Sequence, residues 1–237
     1  MNNLIDFFLE PYQTASLINI LLEITAASLG IISVFYAKRE NVLVFPTGII
    51  STGIYIYLLS QWSLYGDLII NIYYTIMSLF GWYMWSKIIN SDTNEHIPIT
   101  RTTKKEKSIA FAIFIAAAVF VIFIYRYYNI MPNNLTFTES VQYAFSHLTS
   151  GNLEKFRIAV PFLDTFTTAA AFVAMWLMAT KKIENWTFWI ITNIVSIPLY
   201  FVKGYGFTGI QYIVFLILAI LGYQQWKKLL DKKKQTL

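Results

Sequence analysis

Seven stretches of the chain, near 17–37, 42–60, 66–87, 108–128, 161–180, 184–202 and 207–227, are dominated by apolar residues. A hydrocarbon core is roughly 30 Å thick and a helix rises about 1.5 Å per residue, so about 20 apolar residues suffice to cross it. Each stretch therefore predicts a membrane-spanning helix. The fourth is the cleanest, since Ser108 to Phe123 carries no charge, whereas the second, third, sixth and seventh are rich in aromatics and hold internal amides and hydroxyls. The first follows Asp6 and Glu10 and lacks the basic start and small-residue cleavage site of a signal peptide, so no cleavage is expected. Between the fourth and fifth, residues 129–160 read as an outer loop whose weakly amphipathic part, around Glu139 to Phe145, is expected to lie in the membrane interface.

The basic residues orient this pattern. Placing the ends of spans one, three, five and seven on one side collects Lys38, Arg39, Lys87, Arg101, Lys104, Lys105, Lys107, Lys181, Lys182, Lys227, Lys228 and Lys232 to Lys234, fourteen of the eighteen Lys and Arg. Only Arg126, Lys155, Arg157 and Lys203 oppose them. Short cytoplasmic loops concentrate positive charge, so the split predicts an outside N-terminus and a cytoplasmic C-terminus in the cytoplasmic (inner) membrane. It also accounts for the net charge of +5 without a nucleic-acid partner.

The chain repeats itself. Span one ends in Lys38-Arg39-Glu40-Asn41 and span five in Lys181-Lys182-Ile183-Glu184-Asn185. Span three ends Gly81-Trp82-Tyr83-Met84-Trp85-Ser86-Lys87 and span seven Gly222-Tyr223-Gln224-Gln225-Trp226-Lys227-Lys228, the same Gly-aromatic-x-x-Trp-x-Lys pattern. The fold class expected is an all-α integral membrane protein of seven transmembrane helices in a 3+1+3 arrangement. Its parts are an outer N-terminal segment 1–16, a first three-helix repeat 17–87, a cytoplasmic loop 88–107, a linker helix 108–128, the outer loop 129–160, a second repeat 161–228 and a basic tail 229–237. With one helix between them, the two repeats run parallel, a plan found in carriers that bind cargo between halves near the bilayer midplane. Pro46 and Pro198, inside spans two and six, are expected to let those helices bend.

Composition narrows the chemistry. The chain of 237 residues is 57% hydrophobic and only 13% charged, and it has no cysteine and two histidines, His96 and His147, expected on opposite sides of the membrane. Thiolate zinc sites, iron–sulfur clusters, cysteine nucleophiles and histidine metal sites are thus excluded or improbable, and neither a metal nor a cofactor is expected. Gly204-x-Gly206-x-x-Gly209 has the letters of a dinucleotide fingerprint but joins two membrane helices, and it reads as a turn. Glu23 and Asp164 stand singly, without the paired acids and histidines of a proton relay.

Polar groups in hydrocarbon face a protein interior or a water-filled cavity. In span six, Trp186, Trp189, Asn193, Ser196 and Tyr200 recur at helical steps and form one stripe. Two indoles there can sandwich a flat cationic ring, and Asn193, one turn from Trp189, offers both a donor and an acceptor. Asp67, Asn71, Tyr74, Ser78 and Trp85 form a second stripe on span three, and Gln211 on span seven falls opposite Ile70, next to Asn71, when the repeats are superposed. The substrate-binding set expected is Trp189, Asn193, Trp186, Asn71 and Gln211. Neither stripe carries Lys or Arg, which disfavours a phosphorylated cargo.

The run Glu184-Asn185-Trp186-Thr187-Phe188-Trp189-Ile190-Ile191-Thr192-Asn193, with Tyr65-Gly66-Asp67 leading to Gly81-Trp82-Tyr83-Met84-Trp85, resembles the PnuC family of nicotinamide riboside and related vitamin transporters. The resemblance implies the 3+1+3 helix plan, facilitated diffusion of nicotinamide riboside by a uniporter rather than an enzyme, and trapping by a separate cytoplasmic kinase. It also implies that Trp189 and Asn193 touch the cargo. Thiamine and deoxynucleosides, carried by other members, are the alternative cargoes, and a membrane-embedded lipid-modifying enzyme is the alternative from another class. Membrane lipid is the expected surroundings. A homo-oligomer is left open, since neither half has a GxxxG helix-pairing motif.

Overall fold

The computed structural model describes residues 15–61, 65–90 and 95–235. Among these, eight helices run in order: α1 (Leu17–Lys38), α2 (Val44–Gln61), α3 (Tyr65–Ser86), α4 (Lys104–Tyr127), α5 (Phe137–Leu148), α6 (Leu153–Ala179), α7 (Asn185–Val202) and α8 (Gly206–Gln235). The only strands described are the short antiparallel pair β1 (Ile88–Asn90) and β2 (Glu95–His96), inside the segment expected to be loop. Five helices, α1, α4, α6, α7 and α8, are long and apolar enough to cross a membrane. Apolar side chains such as Leu21, Ile24, Phe111, Val119, Phe123 and Ile217 are exposed on the outer faces of α1, α4 and α8, as a bilayer-embedded bundle requires.

The helix ends follow local chemistry. Thr103 caps α4, its hydroxyl accepting from the Glu106 amide while its own N–H donates to the Glu106 carboxylate in a capping box, so α4 begins four residues before the expected 108. Thr136 and Glu139 repeat the box at α5, and Asn152 caps α6 with its side-chain oxygen accepting from the Glu154 and Lys155 amides. The 129–160 segment is therefore largely helical, and α6 starts well ahead of the expected 161, taking Pro161 into its interior. Pro46 is the third residue of α2, where a missing N–H costs no helical bond, so the expected bend at span two has no cause there. Pro198 does lie inside α7.

Helices α1, α2 and α3 pack in sequence, as do α6, α7 and α8; contacts of α1 with α8 and α3 with α6 close the ring, and α4 packs on α6. The two units repeat in detail. Glu40 and Lys181, 141 positions apart, both adopt the left-handed conformation after α1 and α6, with φ of 58° and 52°. Four backbone hydrogen bonds recur at that same offset of 141: Glu40 to Ala37 with Lys181 to Met178, Asn41 to Tyr36 with Lys182 to Leu177, Val44 to Asn41 with Asn185 to Lys182, and Phe45 to Val42 with Trp186 to Ile183. The Trp85 indole N–H donates to the Met178 carbonyl of the other unit at 3.2 Å, and Trp226 returns the bond to Ala37 at 3.0 Å. Donors and acceptors differ by the same 141 residues, so the exchange is reciprocal about a two-fold relation between the units.

The matched glycines explain why the Gly-to-Trp spacing repeats. Phe45 meets Trp85 edge-on at 5.0 Å and presses on Gly81, while Trp186 meets Trp226 edge-on at 5.6 Å and presses on Gly222. A Cβ on Gly222 would stand 2.6 Å from the Trp186 ring. Gly222→Ala is expected to lower stability by about 1–3 kcal/mol through overpacking. Gly53→Ala, where nothing lies within 4 Å of the added carbon, serves as the neutral control in the same thermal unfolding assay.

Candidate functional site

Between the two units lies a cavity of about 590 Å³, walled by α1, α2, α3, α6, α7 and α8 with Tyr125 of α4. That volume suits a vitamin-sized molecule. Its wall runs from Tyr205, 40% exposed at one end, to Ala37, Met178, Trp186 and Ala219, all buried, at the end that carries Lys38, Arg39, Lys181 and Lys182.

The basic end is closed. Beneath Trp186 lie Phe45, Trp85 and Trp226, in one buried cluster. Lys181, its side chain 5% exposed, puts Nζ 2.8 Å from Glu40 Oε1 and 4.6 Å from the centre of the Trp85 ring. The closing ion pair thus joins the two equivalent left-handed turns. The segment ahead of α4 ties the same end down: Thr100 N–H donates to Lys181 O, Ile183 N–H donates to Thr100 O, and Lys182 Nζ lies 2.7 Å from Glu106 Oε1.

All five site residues expected from the sequence line this cavity, with different surroundings. Asn193 is 4% exposed, and its amide makes no hydrogen bond to protein among the described residues. Trp189, half-buried, meets Tyr74 of α3 edge-on at 6.1 Å, so the two stripes do face each other. Asn71 Nδ2 donates to the Asp67 carbonyl at 2.8 Å, and Gln211 Nε2 reaches the Ala27 carbonyl at 3.5 Å, bridging α8 to α1. Trp186 belongs to the floor. Its ring packs on Trp226, and its buried indole N–H has no partner among the described residues. The expected sandwich of a flat ring between two indoles is thus replaced by one wall indole and one floor indole, because Gly222 opens a slot that draws Trp186 down onto Trp226.

The wall holds residues the sequence reading passed over. Tyr212 occupies the position equivalent to Asn71, and Thr52 that of Asn193, at the offset of 141. Tyr212 stacks on Tyr200 at 4.8 Å, and Thr52 shares a 2.7 Å hydrogen bond with Thr75. Carrying the repeat through the helix interiors would have found both. Asp164 does not stand singly: Lys203 Nζ lies 2.7 Å from its Oδ2 and 2.8 Å from its Oδ1. No cluster of three or more His, Cys, Asp or Glu that could hold a metal occurs among the described residues.

The family model described as nicotinamide mononucleotide transporter matches residues 20–228. The nicotinamide riboside transporter PnuC of Escherichia coli (strain K12) is 23% identical over 202 residues, covering 83% of this chain and 81% of that protein. PnuC of Neisseria mucosa is 26% identical over 214 residues, covering 87% and 72%. A riboflavin/roseoflavin transporter, RibM of Streptomyces davaonensis, is 21% identical over 150 residues, covering 63% and 58%. The crystal structure of a vitamin B3 transporter PnuC shares the fold with a TM-score of 0.61 at 22% identity, covering 90% of this chain and 83% of that one.

Proposed function

The chain belongs to the nicotinamide mononucleotide transporter family, the PnuC family its motifs resemble, and from that premise we propose that it imports nicotinamide riboside by facilitated diffusion through the cavity between its two units. The family and these relatives are transporters, so the alternative of a lipid-modifying enzyme falls. In this reading α1–α4 and α6–α8 are seven membrane spans, the basic end is cytoplasmic, the membrane is the inner one, and a cytoplasmic kinase traps the cargo.

The observation that carries the proposal is the Asn193 amide, nine-tenths buried on the wall of a vitamin-sized cavity and unclaimed by protein. Its donor and acceptor open on the cavity and match the carboxamide or ribose hydroxyls of nicotinamide riboside. Trp189 supplies the π face for the pyridinium, with Asn71 and Gln211 as further amides and Trp186 as floor. Release to the cytoplasm then requires the Glu40–Lys181 pair and the reciprocal tryptophan bonds to part, while the opposite end closes.

Uptake of labelled nicotinamide riboside into sealed vesicles holding the purified protein, with no ion gradient, is the expected result. Flux that requires a proton or sodium gradient would exclude the passive mechanism, and no flux under either condition would exclude this cargo.

A further inference from the structure

The two-fold relation between the units breaks at one level of the cavity, at three positions together. At the offset of 141, Trp189 of the second unit answers Gly48 of the first, and Ala174 and Ala219 answer Ser33 and Ser78. One unit thus has an indole and two alanines where the other has a glycine and two serines. Gly48, Ser33, Ser78 and Trp189 all line the same cavity. The glycine lets both hydroxyls gather over its backbone: a Cβ there would stand 3.1 Å from Ser33 Oγ and 3.6 Å from Ser78 Oγ. Ser33 already donates its proton to the Val44 carbonyl at 2.7 Å, so what it offers the cavity is an acceptor. Ser78 offers a donor. It is 3% exposed, and its hydroxyl makes no hydrogen bond to protein among the described residues. An equally buried alanine, Ala219, serves the equivalent position of the other unit, so packing alone does not call for a hydroxyl at Ser78.

We propose that Ser78 and Ser33, set over Gly48, form a carboxamide subsite across the two-fold from Trp189, so that the cargo ring is recognised by its exocyclic amide and the Asn193 amide is left for the ribose. The inference rests on the cavity being the cargo site. A primary carboxamide matches the pair, since its carbonyl accepts the Ser78 proton and its NH2 donates to Ser33 Oγ. A ring of the same charge without that group leaves both hydroxyls unanswered. The subsite therefore discriminates among flat cations by substituent, which a π face alone does not do.

The test compares nicotinamide riboside with the pyridinium riboside that lacks the carboxamide and keeps the ribose and the positive charge. With the purified full-length protein, calorimetric titration is expected to give nicotinamide riboside roughly tenfold or more the affinity of the pyridinium riboside, about 1.4 kcal/mol. Ser78→Ala, which copies the residue of the other unit, is expected to collapse that preference by weakening nicotinamide riboside alone. If Ser78→Ala does not fold, Gly48→Ala, whose methyl stands against both hydroxyls, carries the same comparison. Equal binding of the two ribosides by the unaltered protein, or an undiminished preference in the variant, would overturn the subsite and leave the cargo assignment standing. A variant that weakens both ribosides alike would overturn it too, since the hydroxyl would then serve the shape of the cavity and not the amide. Failure of the unaltered protein to bind either riboside would overturn the cargo assignment and the subsite with it.

Discussion

Glu40→Ala is expected to lower the unfolding free energy by about 3 kcal/mol, the cost of leaving a buried ammonium without its counter-charge. Lys181 has a side chain only 5% exposed, against 28% for Glu40, so the lysine is the member that cannot recover its hydration when the pair is broken. The face of Trp85, 4.6 Å away, offsets only part of that loss. Because Glu40 and Lys181 occupy equivalent left-handed turns of two matching units, the structure predicts something a generic ion pair does not. Exchanging the charges, Glu40→Lys with Lys181→Glu, is expected to restore most of the stability that either single substitution removes. Chemical unfolding of the four proteins in detergent measures it. A double variant no more stable than the singles would mean that the two turns are not interchangeable.

Nicotinamide riboside affinity carries the second large effect. Removing the Trp189 indole with Trp189→Ala is expected to cost about 1–2 kcal/mol of binding through the lost cation–π contact. Asn193→Leu, which keeps the branched outline and removes both hydrogen-bonding groups, is expected to cost about 1–3 kcal/mol. The two side chains lie one helical turn apart on one wall, so their effects are expected to couple rather than add. Calorimetric titration of the singles and the double gives the coupling directly. Trp189 packs against the floor cluster, so Trp189→Ala is expected to lower unliganded stability as well as affinity, whereas Asn193→Leu leaves the floor and the Glu40–Lys181 pair alone.

Much of this architecture could be read from the sequence because a bilayer simplifies the pattern. Long apolar runs have few alternatives to helix, and the described long helices fall where the runs lie. The matching Gly-to-Trp endings were legible because each glycine and tryptophan serves the same packing trio in its own unit, Gly81 with Phe45 and Trp85, Gly222 with Trp186 and Trp226. The wall residues Trp189 and Asn193 were legible from helical spacing alone, since period fixes which residues share a face.

What the sequence hid was tertiary. Trp186 shares the stripe of Trp189, yet a slot over Gly222 takes its ring out of the wall and into the floor. Lys181 counts in a charge tally as one more interfacial lysine, and only the fold brings it onto Glu40. Lys203 counted as an outlier to the charge asymmetry, and its task is to neutralise Asp164. The early start of α6 was within reach, because Asn152 ahead of Glu154 is a helix-start signal, but the apolar run that marked the span begins later.

The most direct measurement is a structure of the protein with nicotinamide riboside bound. The pyridinium ring is expected against the face of Trp189, with the carboxamide or ribose within hydrogen-bond distance of the Asn193 amide, in the chamber enclosed by the two units. A ligand seated anywhere else, or a Trp189 and Asn193 turned toward the acyl chains, would contradict it.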